Sequence, residues 1–118
     1  MDLPRPIPAD LAELIAQRLR VIGDPLRIRT LDLLRDGERP VSEIADALGT
    51  SQQNASKHLG VLLQAGIVNR HKVGTSAYYA IADDSVFALC EQVCGGIQAQ
   101  VAELGALIEG TTVQEAAR

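Results

Sequence analysis

Leu11, Leu14, Ile15, Leu19 and Ile22 recur at three- and four-residue steps, which predicts an amphipathic helix ended by Gly23. Pro4, Pro6 and Pro8 keep the segment before it, residues 1–8, extended. Asp24-Pro25 then combines a favoured N-cap with a favoured first helical residue, so a second helix follows. Its expected packed face is Leu26, Ile28, Leu31, Leu33 and Leu34, its stop is Gly37, and Arg27, Arg29 and Arg35 ride outside.

Val41, Ile44, Ala45 and Leu48 predict a short third helix, with Ser42 as candidate cap and Gly49 as stop. A very tight turn leads into a fourth, whose Ala55, Leu59, Leu62 and Leu63 face inward and which Gly66 closes. Gln52, Gln53, Ser56 and Lys57 are left exposed near its start. Two extended runs, Ile67 to Lys72 and Ser76 to Ile81, flank Val73-Gly74-Thr75 and read as a β-hairpin. From Ser85 to about Ile108 the positions Val86, Leu89, Cys90, Val93, Ile97, Val101, Leu104 and Ile108 repeat close to a heptad, predicting the longest helix. The fold class is therefore mainly α with a small β-hairpin: an extended segment over 1–8, one domain over 9–108, and a disordered tail over 109–118.

Composition narrows the function. An aliphatic interior with one Phe, two Tyr and no Trp does not suggest an aromatic-lined substrate pocket. No basic-then-apolar leader opens the chain and no run is long and apolar enough to span a bilayer, so a cytoplasmic protein without a membrane partner is expected. The chain is acidic, with a formal net charge of −4 over 118 residues, yet the stretch from Ala47 to Ala82 contains no Asp or Glu. A surface that approaches phosphates must exclude carboxylates, and a helix start rich in amides and hydroxyls can hydrogen-bond base edges in a major groove.

Two short helices joined by a tight turn and followed by a hairpin make a winged helix-turn-helix. The segments Asp24 to Leu34, Val41 to Gly49 and Ser51 to Gly66, with Gly74 and Tyr78-Tyr79, resemble the ArsR/SmtB family of dimeric bacterial repressors over roughly Leu11 to Ile108. The resemblance implies a homodimer formed by both terminal helices, bound to an inverted repeat in double-stranded DNA. The helix from Ser51 would enter the major groove while the wing brushes the backbone.

Residue chemistry points the same way. Gln52, Gln53 and Asn54 carry amides suited to bidentate pairing with adenine, and Ser51 and Ser56 add hydroxyls beside them. Lys57, Arg70 and Lys72 are phosphate candidates, which fix register without reading sequence. His58 either packs beside the turn or reaches a phosphate, and His71 reads as a wing-surface residue. Tyr79 is expected in the packing and Tyr78 on the opposite face, free to touch the backbone.

Members of the resembled family commonly respond to metal ions, metalloids or thiol chemistry, and most of their ligand sets are missing. Pro40-Val41-Ser42 stands where arsenic-sensing members carry Cys-Val-Cys; the last helix offers Asp83, Ser85, Gly96 and Ala99 where zinc-sensing members carry Asp, His and Glu. What remains is Cys90 and Cys94, two thiols on one helix face that can chelate a soft ion within one chain or across a dimer. No cofactor is obligatory; a thiolate-bound soft metal or metalloid is the candidate effector. Redox or persulfide sensing and simple packing are the alternatives for the pair. For the whole chain, an effector-independent regulator and an interaction module without DNA binding stand beside the repressor. An enzyme is not expected, since His58 and His71 both fall in the DNA-facing segment and no catalytic constellation accompanies them.

Overall fold

A computed structural model describes residues 2–112, with side chains through Glu109. The chain divides at Asp84/Ser85 into two compact units, an N-terminal one and a C-terminal helix. In the first unit, α1 (Ala9–Ile22) is followed by α2 (Pro25–Leu33), a 3-10 turn over Leu34–Asp36, β1 (Arg39–Pro40), α3 (Val41–Leu48), α4 (Gln52–Gln64), β2 (Val68–Val73) and β3 (Ser76–Ile81). The second unit is α5 (Ser85–Thr112).

Local chemistry accounts for the boundaries. Asp24 caps α2, its Oδ1 accepting from the backbone amides of Leu26 at 2.9 Å and Arg27 at 3.1 Å. Gly49 takes a left-handed φ of 68°, which lets the amide of Thr50 reach the carbonyl of Ala45 at 3.0 Å and ends α3 within one residue. Gly74, with φ 64°, performs the equivalent service at the hairpin turn. Ser42 is not a cap: α3 already begins at Val41, with Pro40 in the N-cap position, so Ser42 lies inside the first turn.

The core of the first unit is aliphatic. Leu31, Leu34, Ile44, Leu59, Leu62, Ile67 and Val68 are fully buried, and Tyr79 joins them from β3, as its position predicts. Thr30 is buried too, satisfied by donating its hydroxyl to the carbonyl of Leu26 at 2.7 Å. Ile28 departs from the expected packed face of α2. It lies about 200° round the helix from Thr30 and is exposed. In α1 only Ile22 is buried, while Leu14 and Leu19 remain exposed.

The sheet has three antiparallel strands in the order β1-β3-β2. The short β1 adds a strand to the expected hairpin and has no hydrophobic signature of its own. It exists because Arg39 pairs with Tyr79 and Pro40 with Tyr78 across β3, while Arg39 Nε donates to the carbonyl of Leu33 at 2.9 Å.

Helix α5 continues past Ile108 to Thr112, so part of the expected tail is helical; residues 113–118 lie outside the described residues. Val93, Ile97, Val101 and Leu104 are all more than half exposed along it. Among the described residues no helix is long and apolar enough to cross a membrane.

Candidate nucleic-acid interface

The Gly49 turn brings Thr50 and Ser51 directly onto the start of α4. Ser51 is its N-cap, accepting from the Asn54 amide at 3.0 Å, so its hydroxyl oxygen already serves the helix. Gln52, Gln53, Ser56 and Lys57 are exposed, as their spacing predicts. An open recess of about 380 Å³ runs between Ser51, Gln53, Asn54 and Lys57. Asn54 differs from its two amide neighbours. Half-buried, it turns Nδ2 back to donate to Thr50 Oγ1 at 2.9 Å, which takes up one of its two amide donors and holds the amide towards Thr50. That leaves Gln52 and Gln53 as the stronger candidates for pairing with base edges.

His58 takes the packed arrangement rather than the phosphate-facing one. Its side chain is only 15% exposed, Nδ1 lies 3.0 Å from Arg27 Nη1, and Asp24 Oδ1 is 4.0 Å away. Arg27, expected outside, is correspondingly drawn in: its Nε donates to the carbonyl of Val21 and its Nη2 to that of Arg20. The end of α1 supplies carbonyls without intrahelical partners, and a guanidinium satisfies several of them at once. Nothing in the spacing of Arg27 and His58, 31 residues apart, reveals this contact.

Hydrogen bonds from the Arg27 amide, foremost, and the Leu26 amide, together with the charge of Arg27, hold the Asp24 carboxyl below the ordinary carboxylate value against a partial opposing effect of burial. A depressed folded value means that the stabilisation is complete above the ordinary value and is lost as pH falls through the lowered one. Replacing Asp24 with Ala is therefore expected to lower stability by about 1 kcal/mol at neutral pH. In urea melts at descending pH, the gap between the variant and the parent protein should close in the acid range.

The wing is built on register. Cross-strand partners share a face, so Arg70 and Lys72 lie on the side of β2 that pairs with Tyr79 and Ala77, while His71 and Tyr78 occupy the other. Both basic residues are exposed. Tyr78 stacks on His71, with ring centroids 5.9 Å apart and planes inclined by 22°. His71 Nε2 also lies 3.4 Å from Glu38. The acid-free stretch in sequence is thus not acid-free in space: β1 returns Glu38 to the wing, on the face away from Arg70 and Lys72.

A second anchor has no signature in the sequence. Arg18 of α1 donates to the carbonyl of Ala65 at 2.9 Å and pairs with Asp83, joining the end of α4 to the residue just after the wing. Asp83 therefore takes part in a long-range ion pair within the first unit.

On α5, Cys90 is half-buried and Cys94 exposed, both as free thiols. Among the described residues, no group of three or more His, Cys, Asp and Glu side chains within this chain could hold a metal ion.

Comparison with known proteins agrees with this architecture. Residues 22–71 match the family model of a helix-turn-helix domain. Over 80 residues the chain is 35% identical to the HTH-type transcriptional repressor SmtB of Mycobacterium tuberculosis, a match that covers 68% of this chain and 59% of that repressor. Among solved structures, a homodimeric winged helix-turn-helix DNA-binding domain of a possible ArsR-family regulator, Mb0332 of Mycobacterium bovis, has a TM-score of 0.67 and 34% identity, covering 78% of this chain and 88% of that one. The AntR antimony-specific transcriptional repressor has a TM-score of 0.71 at 26% identity, covering 82% and 88%. With the sequence matches, the winged helix-turn-helix topology and the homodimeric neighbour in agreement, the chain belongs to the ArsR/SmtB family of winged helix-turn-helix transcriptional regulators.

Proposed function

We propose that this chain is a cytoplasmic, homodimeric transcriptional repressor that binds an inverted-repeat operator and leaves it when a thiophilic metal ion or metalloid binds at Cys90 and Cys94. The observation that carries the DNA-binding reading is the exposed, acid-free start of α4, where Gln52, Gln53, Ser56 and Lys57 stand clear of the core in the same unit as the basic wing residues Arg70 and Lys72. Amides at a helix start discriminate bases, each good bidentate pair being worth about 1–3 kcal/mol, and exposed cations hold phosphates.

A second copy is supported by α5 itself. Cys90, Cys94, Ile97, Val101 and Leu104 follow one another at steps of four and three, the seam of a two-helix packing, and all but Cys90 are exposed in the single chain. The homodimeric state of the M. bovis domain supports a dimer.

The two cysteines stand at the N-terminal end of that seam. At a separation of four residues their Cβ atoms are about 5–6 Å apart, farther than the roughly 3.5–4.5 Å of an intrachain disulfide. A soft ion would supply metal–sulfur bonds of about 2.3 Å that span this gap. Among the described residues, one chain offers two thiolates and no third ligand beside them, so the pair fits half a site, completed by the same residues of the second copy. The AntR repressor supports a metalloid-responsive role for this fold. Release then requires that the effector bind the DNA-incompetent state more tightly than the DNA-bound one. The exposure of Cys94 also favours a second reading, in which persulfide or an oxidant acts on the same pair.

The test is selection of duplexes from a random library, followed by footprinting. A two-fold dimer is expected to select an inverted repeat with half-sites about 34–36 Å apart. A single unsymmetrical half-site would remove the dimer, and no selection at all would remove the DNA-binding reading.

A further inference from the structure

Helix α4 is held in the first unit by two kinds of contact. Ala55, Leu59 and Leu62 are buried beneath it, but apolar burial is non-directional and leaves small rotations of a helix cheap. Hydrogen bonds fix such rotations, and among the described residues two long-range ones reach α4. Arg18 binds the Ala65 carbonyl at its C-terminal end, and Arg27 binds His58 close to the exposed amides.

His58 lies about 140° round the helix from Gln53, on the rear of the face that would meet DNA. The guanidinium of Arg27 has only donors, so Nδ1 of His58 must be the acceptor and the ring proton sits on Nε2. Arg27 is itself fixed at the other end by the carbonyls of Val21 and Arg20, and its own backbone amide donates to Asp24. The contact thus ties α4 to the corner where α1 meets α2.

Resting on the DNA-reading function proposed above, we infer that His58 is a positioning residue: by accepting from Arg27 it sets the rotation of α4, and with it which base pairs Gln52 and Gln53 reach. It touches no base. The physical requirement is strict, since a recognition group must be held within about 0.5 Å of its productive position, and phosphate contacts tolerate more displacement than base-edge contacts do.

The experiment measures affinity of the full chain for two duplexes of equal length, the one the parent protein selects from a random library and a scrambled one. His58→Leu fills a similar volume but removes the acceptor. It is expected to lower affinity for the selected duplex about ten-fold or more while leaving the scrambled duplex within about two-fold. His58→Asn places a carbonyl oxygen close to the Nδ1 position and is expected to recover most of the missing discrimination. Arg27→Lys, which removes the planar fork, should behave like His58→Leu and provides the measurement if that variant does not fold.

Equal discrimination by His58→Leu and the parent protein would overturn the positioning role. So would parallel loss on both duplexes, or an Asn variant no better than the Leu variant. A parent protein that never discriminates between the duplexes would instead overturn DNA reading itself, and this inference with it.

Discussion

Serine at both Cys90 and Cys94 is expected to leave operator affinity within about two-fold of the parent value while abolishing release by Zn²⁺, Cd²⁺ or arsenite. The substitution keeps the size of each side chain and removes the soft thiolate, so the loss should fall on effector response rather than on DNA binding. Folding should survive. Cys94 is exposed, and at half-buried Cys90 a hydroxyl with access to water forfeits on the order of 1 kcal/mol. Operator release is followed by fluorescence anisotropy during titration of reduced protein with each ion, and separately after exposure to persulfide or peroxide. Response to ions alone selects the metal-site reading, and response to sulfur or oxidant alone selects the thiol-chemistry reading. A double variant that responds to every inducer as the parent protein does would place the effector elsewhere and return the cysteines to packing.

The second large effect concerns the DNA face, where two classes of substitution should separate. Gln53→Ala is expected to lose about 1–3 kcal/mol at particular base pairs and little at others, because an amide reads base edges. Lys57→Ala and Arg70→Ala should weaken all sequences alike. Each should also flatten the slope of log affinity against log salt by about 0.9 for every phosphate that is no longer neutralised. Binding isotherms over a salt series, on the selected duplex and on single-base variants of it, distinguish the two. Uniform loss for Gln53→Ala would contradict its assignment as a reader, and a salt slope unchanged by Arg70→Ala would detach the wing from the backbone.

Much of this architecture is visible in local chemistry. Asp24-Pro25 announces the start of α2, Gly49 the end of α3 and Gly74 the hairpin turn, because each residue satisfies a backbone requirement within a few positions of itself. The exposure of Gln52, Gln53, Ser56 and Lys57 follows equally from helical period. These features depend on neighbours along the chain, so the chain alone determines them.

The tertiary structure decided what depends on partners distant in sequence. Arg27 and Arg29 look alike as solvated charges, yet only Arg27 meets the α1 carbonyls and His58, and that meeting turned an ambiguous histidine inward. Two residues, Arg39 and Pro40, become a strand because β3 passes beside them, and the same approach carries Glu38 to His71. Asn54 shares its amide chemistry with Gln53 but has one methylene fewer, short enough to fold back onto Thr50. Backbone capping and helical period act over one or two turns and can be read from residue order, whereas long-range hydrogen bonds and ion pairs exist only where packing brings their two ends together.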